Sequence, residues 1–375
     1  MSSSSVSTAI VVGAGIFGVS SAVNLARLGV TTTLINDGPV ANGASGRSLA
    51  WLNSSRVRSE EYHRLRMIGI DRYRTLATRH PDADWLRFDG GLTWDADNAA
   101  NDIAAAFAHE KAIGYEALHL DGPEIAAVTP GVDAGTVTPQ GAIFNPGEGW
   151  VDLPGLIEVL LAEFLKLGGA LVTDAGRASV TIEAGRARGV ATVDGRSFAA
   201  DAVLVATGPA VPLMAAEAGQ PIGDATPVAL LVKTKPYRLP LRAVLNTPRV
   251  AIRPTPTGAL VLDSGWSEEE IIIHTDGTYE ARDSTVQGLL SEASRVLEGN
   301  PVLELDSYAM GPKPIPGDGQ PVLGELADIP GYYVAFSHSG ATLGLIIGEL
   351  LAGEIATGER HPLLAAFRPE RFAQV

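Results

Sequence analysis

Residues Gly13-Ala14-Gly15-Ile16-Phe17-Gly18 form a G-x-G-x-x-G run directly after the apolar stretch Ala9–Val12. A short, continuously apolar stretch reads as a buried parallel strand. After it, Ile16, Val19, Val23 and Ala26 fall on one face of a helix that Gly29 ends. Thr31–Ile35 then reads as a second strand, completing a βαβ unit. In such a unit the first glycine makes the strand-to-helix turn and the second lets a pyrophosphate approach the backbone. The third lets the helix pack close to the strand. The helix N-terminus offers free N–H groups and a partial positive charge to phosphates. A glycine-rich turn with no ligand is the alternative, and the strand-loop-helix context argues against it.

An acidic residue about 20 positions beyond such a loop ordinarily holds the ribose hydroxyls. Here the place falls on Asn36, followed by Asp37. The Asn36 amide can bond a ribose and Asp37 can share the task, while Asn36-Asp37-Gly38 also reads as a turn. An amide at this position leaves FAD, NAD and NADP all open.

Length and composition narrow the class. A chain of 375 residues exceeds one ordinary core and points to two interleaved domains. With 46% apolar and 19% charged residues it can bury substantial cores. A net charge of −15 argues against nucleic acid, whose phosphates need clustered Lys and Arg. Cysteine is absent, which excludes disulfides, thiolate catalysis, Cys-based zinc and Fe–S sites, and a cysteine-tethered flavin. The start, MSSSSVSTA, reads as a frayed tail rather than a signal peptide. The longest apolar candidate for a membrane span, Ala341–Thr357, is interrupted by Glu349 and Glu354. These features predict a soluble, cytoplasmic protein without a membrane span.

Further elements follow along the chain. Ser59 is placed to cap a long helix carrying Glu60 and Glu61 in its first turn. Asp152 and Pro154 open another, with Leu156, Leu160, Phe164 and Leu167 on one stripe. Alternation from Ala178 to Ala199, broken at Ala184-Gly185 and Asp194-Gly195, predicts a three-stranded meander. Ala202–Val205 is a second very apolar strand, Ser284–Leu297 contains a helix, and Tyr332–Ala335 with Ala341–Thr357 form a closing strand and helix. Nucleotide-binding segments are thus expected at 1–50, 141–220 and 311–375. A substrate-binding domain is expected from 51–140 and 221–310.

The glycine loop, Gly43-Ala44-Ser45-Gly46-Arg47-Ser48, Ala206-Thr207-Gly208, the stretch Gly311 to Gly319 and Ser337-His338-Ser339-Gly340 occur in this order. That order resembles the D-amino-acid oxidase / glycine oxidase / sarcosine oxidase family of FAD-dependent oxidoreductases across nearly the whole chain. The resemblance implies an α/β fold, a glutathione-reductase-type, Rossmann-like FAD-binding domain interleaved with a mixed-sheet α+β substrate domain. It places Ala44, Ser45, Gly46, Arg47, Ser48, Leu49 and Ala50 along flavin and pyrophosphate, where small residues permit close backbone approach. Ser45 and Ser48 can donate hydroxyl bonds. Arg47 can neutralise phosphate, face the substrate, or make only a surface ion pair. Ala178 falls near adenine, and Thr207 and Gly208 end a strand beside the cofactor. Gly311, Lys313, His338, Ser339, Gly340, Ala341, Thr342 and Leu343 approach the flavin, whose pyrimidine end the N–H groups of the last helix would face.

The sequence departs from the family pattern in three places. The arginine that grips a substrate carboxylate is replaced by Lys313, a point charge that can hold a carboxylate, assist oxygen reduction, or simply be solvated. The basic residue that serves oxygen activation in sarcosine oxidases is replaced within Leu260-Val261-Leu262. No histidine stands where a flavin would be tethered, so non-covalent FAD is expected.

The resemblance implies oxidation of a small amine or amino acid by hydride transfer from Cα to flavin N5, giving an imine and hydrogen peroxide. Such a site needs orientation and desolvation more than a strong base. Arg47, Asn53, Arg253, Lys313 and His338 are the candidates to position substrate. Arg253 alternatively faces solvent from its strand, and His338 is expected to be a neutral hydrogen-bonding neighbour of the flavin. Trp51 is either a pocket wall or plain packing, and Tyr237 and Tyr308 are weaker pocket candidates. Three other readings remain: a dehydrogenase passing electrons to a quinone or carrier protein, a flavoprotein without turnover, and a nicotinamide-linked enzyme.

Overall fold

The computed structural model describes residues 6–238 and 240–372. The first five residues of the serine-rich tail lie outside the described residues. One sheet has six strands in the order Val322–Glu325, Tyr332–Phe336, Ala202–Val205, Thr8–Val12, Thr31–Ile35, Ala170–Val172. Every neighbouring pair is parallel except the first, which is antiparallel. Its central strands are apolar along their length because both faces are covered. Leu34, Val11 and Leu204 pack under helices Ile16–Arg27, Leu153–Lys166 and Gly340–Thr357. On the other face, Ile10, Val203 and Val334 meet the predicted meander, Ala178–Glu183, Arg186–Thr192 and Ser197–Ala199.

The last helix is long and apolar enough to cross a membrane by composition, yet 67% of it is buried in the protein. It runs so close to Ile16–Arg27 that a Cβ on Gly348 would lie 2.1 Å from Ser20 Oγ. Its two acids are paired, Glu349 with Arg72 and Glu354 with Arg368.

The second sheet has eight strands in the order Leu305–Pro312, Val228–Thr234, Leu260–Asp263, Ala251–Pro254, Val244–Asn246, Gly91–Thr93, Ala142–Asn145, Leu118–Leu120. Only Val244–Asn246 and Gly91–Thr93 pair in parallel, so the sheet is mixed. Leu230, Val232, Ile252, Leu260 and Leu262 bury one face against helix Asp283–Val296. The two-residue period sends Leu231, Lys233, Ala251, Arg253, Val261 and Asp263 to the opposite face.

Several expectations are corrected by the pairing. Ala142–Asn145, placed from sequence with the nucleotide-binding segments, is an inner strand of the second sheet. Gly311 and Pro312 likewise end the edge strand Leu305–Pro312 of that sheet. Helix Glu60–Arg79, placed in the substrate domain, packs Tyr62, Leu65 and Tyr73 into the core that holds Leu343 and Ile346. Leu167, read as part of a buried stripe, is 46% exposed because the helix it follows has already ended. Helices Ile103–Ala112 and Gly122–Val128 were not anticipated, although Asp121 and Glu124 form a capping box before the second.

Candidate active site

A continuous cavity of about 930 Å³ runs from the glycine loop, between the two sheets, to the start of the last helix. Close packing fixes two of the three loop glycines. A Cβ on Gly13 would stand 2.5 Å from Ala206 O, and one on Gly18 would stand 1.7 Å from Gly13 O. Gly15 instead faces the cavity and would meet only Ser45 Oγ, at 3.2 Å. Among the described residues, the N–H groups of Gly15 and Phe17 have no hydrogen-bond partner. A helix N-terminus with free donors, backed by glycines that cannot carry side chains, fits a pyrophosphate.

Asn36 serves the loop itself. Its Oδ1 accepts from the Ala14 N–H at 2.8 Å, and its Nδ2 donates to Gly38 O at 2.8 Å and Pro39 O at 2.9 Å. Both amide protons are committed, so Asn36 cannot donate to a ribose as expected from sequence. Asp37, exposed at the cavity edge, is the neighbouring side chain that remains available.

The Ala44–Ala50 segment forms the next wall. Ser45 Oγ accepts from the Ile16 N–H at 3.0 Å and Ser48 Oγ from the Ala50 N–H at 2.9 Å. Each hydroxyl therefore keeps its own proton to donate. Arg47 donates to Asn42 O and lies against Gly311, where a Cβ would be 2.6 Å from its Nη2. Burial lowers its pKa, with Tyr279 acting in the opposite direction. Ala178, Thr207 and Gly208 line the cavity, as do Ser337 to Thr342. Leu343 is turned into the core instead, and Gly18 and Gly46 do not reach the cavity wall.

His338 lines the cavity, with its side chain exposed to that space. Desolvation, reinforced by Lys313, Arg66 and Arg58, lowers its pKa to about 4, which favours the neutral imidazole. Lys313 lines the cavity too, but its ammonium is ion-paired with Glu268. That pairing, invisible in the sequence, takes up the charge expected to meet a carboxylate. Asp263 lies nearby with its pKa raised to about 6 by burial; Glu268 adds to the shift and Lys313 opposes it.

Asn53 lines the cavity and is held by Arg66, which sequence reading missed. Arg66 Nε donates to Asn53 O and Nη2 to Asn53 Oδ1, both at 2.8 Å, while Nη1 donates to Ser339 Oγ. Arg58, also missed, lines the same wall beside Trp51. Neither arginine lies in a recognisable motif. The only sequence trace is spacing: Arg66 lies four residues after Tyr62 on helix Glu60–Arg79, and Arg58 directly precedes that helix's N-cap, Ser59.

Arg253 is not brought to this cavity. It is 4% exposed, contrary to a solvent-facing strand arginine, and lines a second cavity of about 480 Å³ with Lys233, Ser48 and Tyr308. Its Nη2 is 3.8 Å from Asp152 Oδ1 and its guanidinium lies 5.4 Å from the centre of the Trp150 ring. Tyr237 lines neither cavity.

Behind the Trp51–Arg58 wall, Glu148 is fully buried. Tyr115 donates to its Oε1, and Oε2 has no partner among the described residues. Burial raises its pKa to about 8, aided by Glu110 and opposed by the Tyr115 and Ser54 hydrogen bonds and by Arg66. The folded protein thus keeps a proton that the unfolded chain releases near 4.5. Stability from this group is complete below 4.5 and is lost as pH rises through the folded value, at up to about 1.4 kcal/mol per pH unit. The melting temperature of Glu148→Gln, relative to the native protein, should therefore climb between pH 5 and 8 and then level off. A pH-independent difference would show that Glu148 ionises normally.

Three similarities place the chain among known proteins. It is 27% identical over 366 residues to the uncharacterized oxidoreductase YurR of Bacillus subtilis (strain 168), covering 92% of this chain and 93% of that one. Its fold superimposes on glycine oxidase from Geobacillus kaustophilus with a TM-score of 0.79, at 21% identity over 98% of both chains. It also superimposes on L-amino acid deaminase from Proteus vulgaris lacking its specific insertion sequence, with a TM-score of 0.81, 18% identity, and coverage of 98% and 94%. Residues 8–354 match the sequence profile of the FAD dependent oxidoreductase (DAO) family. The chain belongs to this DAO family and is an FAD-dependent oxidoreductase.

Proposed function

We propose that this enzyme oxidises a small amine or amino acid at the carbon bearing nitrogen, releasing an imine that water hydrolyses. The reading rests above all on one cavity that joins the phosphate-binding loop to a chamber under the mixed sheet. The chamber holds Asn53, Arg58, Asp263, Lys313 and the neutral His338. The similar solved structures, whose names specify glycine oxidase and L-amino acid deaminase, support the substrate class. FAD, bound non-covalently, supplies the hydride acceptor.

The chain's own residues hold and orient. Gly13 to Phe17, with Ser45 and Ser48, cradle the pyrophosphate, and Asp37 takes the ribose. The backbone near Ala178, with Thr207 and Gly208, flanks the nucleotide. The amides from Gly340 to Thr342, at the start of the last helix, would stabilise negative charge on the flavin. His338, uncharged, accepts or donates a hydrogen bond without competing for the substrate's proton. Leu231, Ala251 and Ala309 close the chamber against water.

Oxygen is the proposed electron acceptor, with hydrogen peroxide as product. The basic residue that the resemblance implies is replaced within Leu260-Val261-Leu262, which favours a dehydrogenase as the second reading. Against this, Lys233 and Arg253 flank Val261 across the strands, so cations still border that face. The test is to record the visible spectrum of the purified protein and titrate it anaerobically with D- and L-amino acids, N-methyl amino acids and cyclic imino acids. Bleaching by at least one is expected; if all leave the flavin oxidised, the substrate class is wrong. Oxygen uptake with peroxide release then separates oxidase from dehydrogenase.

A further inference from the structure

The cavity wall carries two guanidiniums that, among the described residues, form no ion pair with an acid. Arg66 is 3% exposed and makes hydrogen bonds only to backbone, amide and hydroxyl oxygens: Asn53 O, Asn53 Oδ1, Ser339 Oγ and Tyr62 Oη. Arg58 lies on the same wall, and its Nε is buried with no hydrogen-bond partner. Both guanidiniums sit over the Tyr62 ring, 5.7 Å and 5.3 Å from its centre. Among the described residues, neither is within ion-pair distance of a carboxylate.

Two neighbouring cations withdrawn from water repel each other and lose solvation, so the arrangement is unfavourable until an anion arrives. Burial and then Arg66 lower the pKa of Arg58 to about 10. The acid buried behind them, Glu148, acts on both through space, but burial raises its pKa and, among the described residues, it is not within ion-pair distance of either guanidinium. The other cavity cations are differently placed: Lys313 is paired with Glu268, Arg177 with Glu217, and Arg47 lies over Gly311.

We propose that Arg58 and Arg66 form a paired-guanidinium clamp for a substrate carboxylate, so that the substrate is an amino acid anchored from the Glu60–Arg79 helix side rather than from Lys313. This deepens the proposed amine oxidation and rests on it for the word substrate. Arg66, whose Nε, Nη1 and Nη2 already donate to Asn53, Ser339 and Tyr62, supplies fixed positive charge and at most one further N–H. Arg58, whose side chain makes no hydrogen bond among the described residues, is the jaw free to present its fork. A guanidinium offers a carboxylate two parallel N–H bonds, which an ammonium cannot.

The test uses the flavin-loaded protein and two probes that cannot be oxidised at a C–N bond in this way, propionate and its neutral isostere propionamide. Binding is read by calorimetry. Propionate should bind the native protein at least about tenfold more tightly than propionamide, and Arg58→Gln should weaken propionate about 10- to 100-fold while leaving propionamide unchanged. Arg58→Lys should recover only part of the loss. For any amino acid that bleaches the flavin, Arg58→Gln should raise KM by a similar factor with a smaller effect on kcat. Equal affinity of the native protein for the two probes overturns the clamp, as does unchanged propionate binding in Arg58→Gln. Since propionate binding does not depend on oxidation, a failed clamp and a failed oxidation reading give different results: lost probe discrimination in one case, an unbleached flavin in the other.

Discussion

Gly18→Ala is expected to melt about 5 °C below the native protein and to purify without flavin. The added Cβ would fall 1.7 Å from Gly13 O and 2.9 Å from Gly13 C, a backbone overlap that no rotamer change relieves. Relief requires helix Ile16–Arg27 to move off strand Thr8–Val12, at the centre of the six-stranded sheet. That movement also loosens the helix from the last helix, which it meets at Gly344 and Gly348. Overpacking of this kind costs about 3–5 kcal/mol, which in a chain of 375 residues is about 5 °C. Gly15→Val provides the contrast. Gly15 has φ −81° and ψ −176°, an extended backbone that valine adopts without strain, and its missing side chain points to the cavity. This variant should keep a near-native melting temperature in the flavin-free state and still fail to load. The checks are the flavin-to-protein absorbance ratio and the melting curve of each flavin-free protein. Normal loading of Gly15→Val would remove the pyrophosphate from this loop, and a native melting temperature for Gly18→Ala would remove the packing argument.

The contrast shows what a sequence displays. Strand, glycine loop and helix are contiguous, so their chemistry is readable from local order: Thr31–Ile35 and Ala202–Val205 are strands with the expected bounds. The meander is legible for the same reason, since Ala184 and Gly185 turn with positive φ between alternating runs. What fails is any inference that needs a partner far along the chain. Ala142–Asn145 is apolar enough for either sheet, and only its pairing to Gly91–Thr93 decides. Lys313 reads as a free cation until Glu268, 45 residues away, is seen against it. Asn36 reads as a ribose ligand until its amide is seen bridging Ala14 and the following turn. Arg58 and Arg66 carry no motif, since what sets them apart is that, among the described residues, neither makes an ion pair. Composition cannot display that absence in a chain with 43 acidic residues.

Arg368→Met should destabilise the protein by about 3–5 kcal/mol while leaving its capacity to load flavin in the cold intact. Glu354 lies near the end of the last helix and is 3% exposed; the Arg368 side chain is 9% exposed. Arg368 Nη1 donates to Glu354 Oε2 at 2.7 Å and Nη2 donates to Oε1, a bidentate pair. The same carboxylate accepts from the His361 N–H at 2.6 Å, and Arg368 reaches His361 O at 3.2 Å. The pair thus ties the chain after Gly358 back onto the helix whose other end borders the cavity. Removing only the arginine leaves a buried carboxylate without its cation, and that carboxylate must either ionise in an apolar setting or take up a proton. The second route becomes easier as protons become available, so the deficit of Arg368→Met should shrink as pH falls. Adding Glu354→Leu removes the stranded charge, and the double variant should regain much of the loss despite having fewer polar contacts. Urea melts of both single variants and the double at pH 5 and 8 check this. If the double variant is as unstable as the sum of the singles, the pair acts as independent packing groups and the ion-pair account fails.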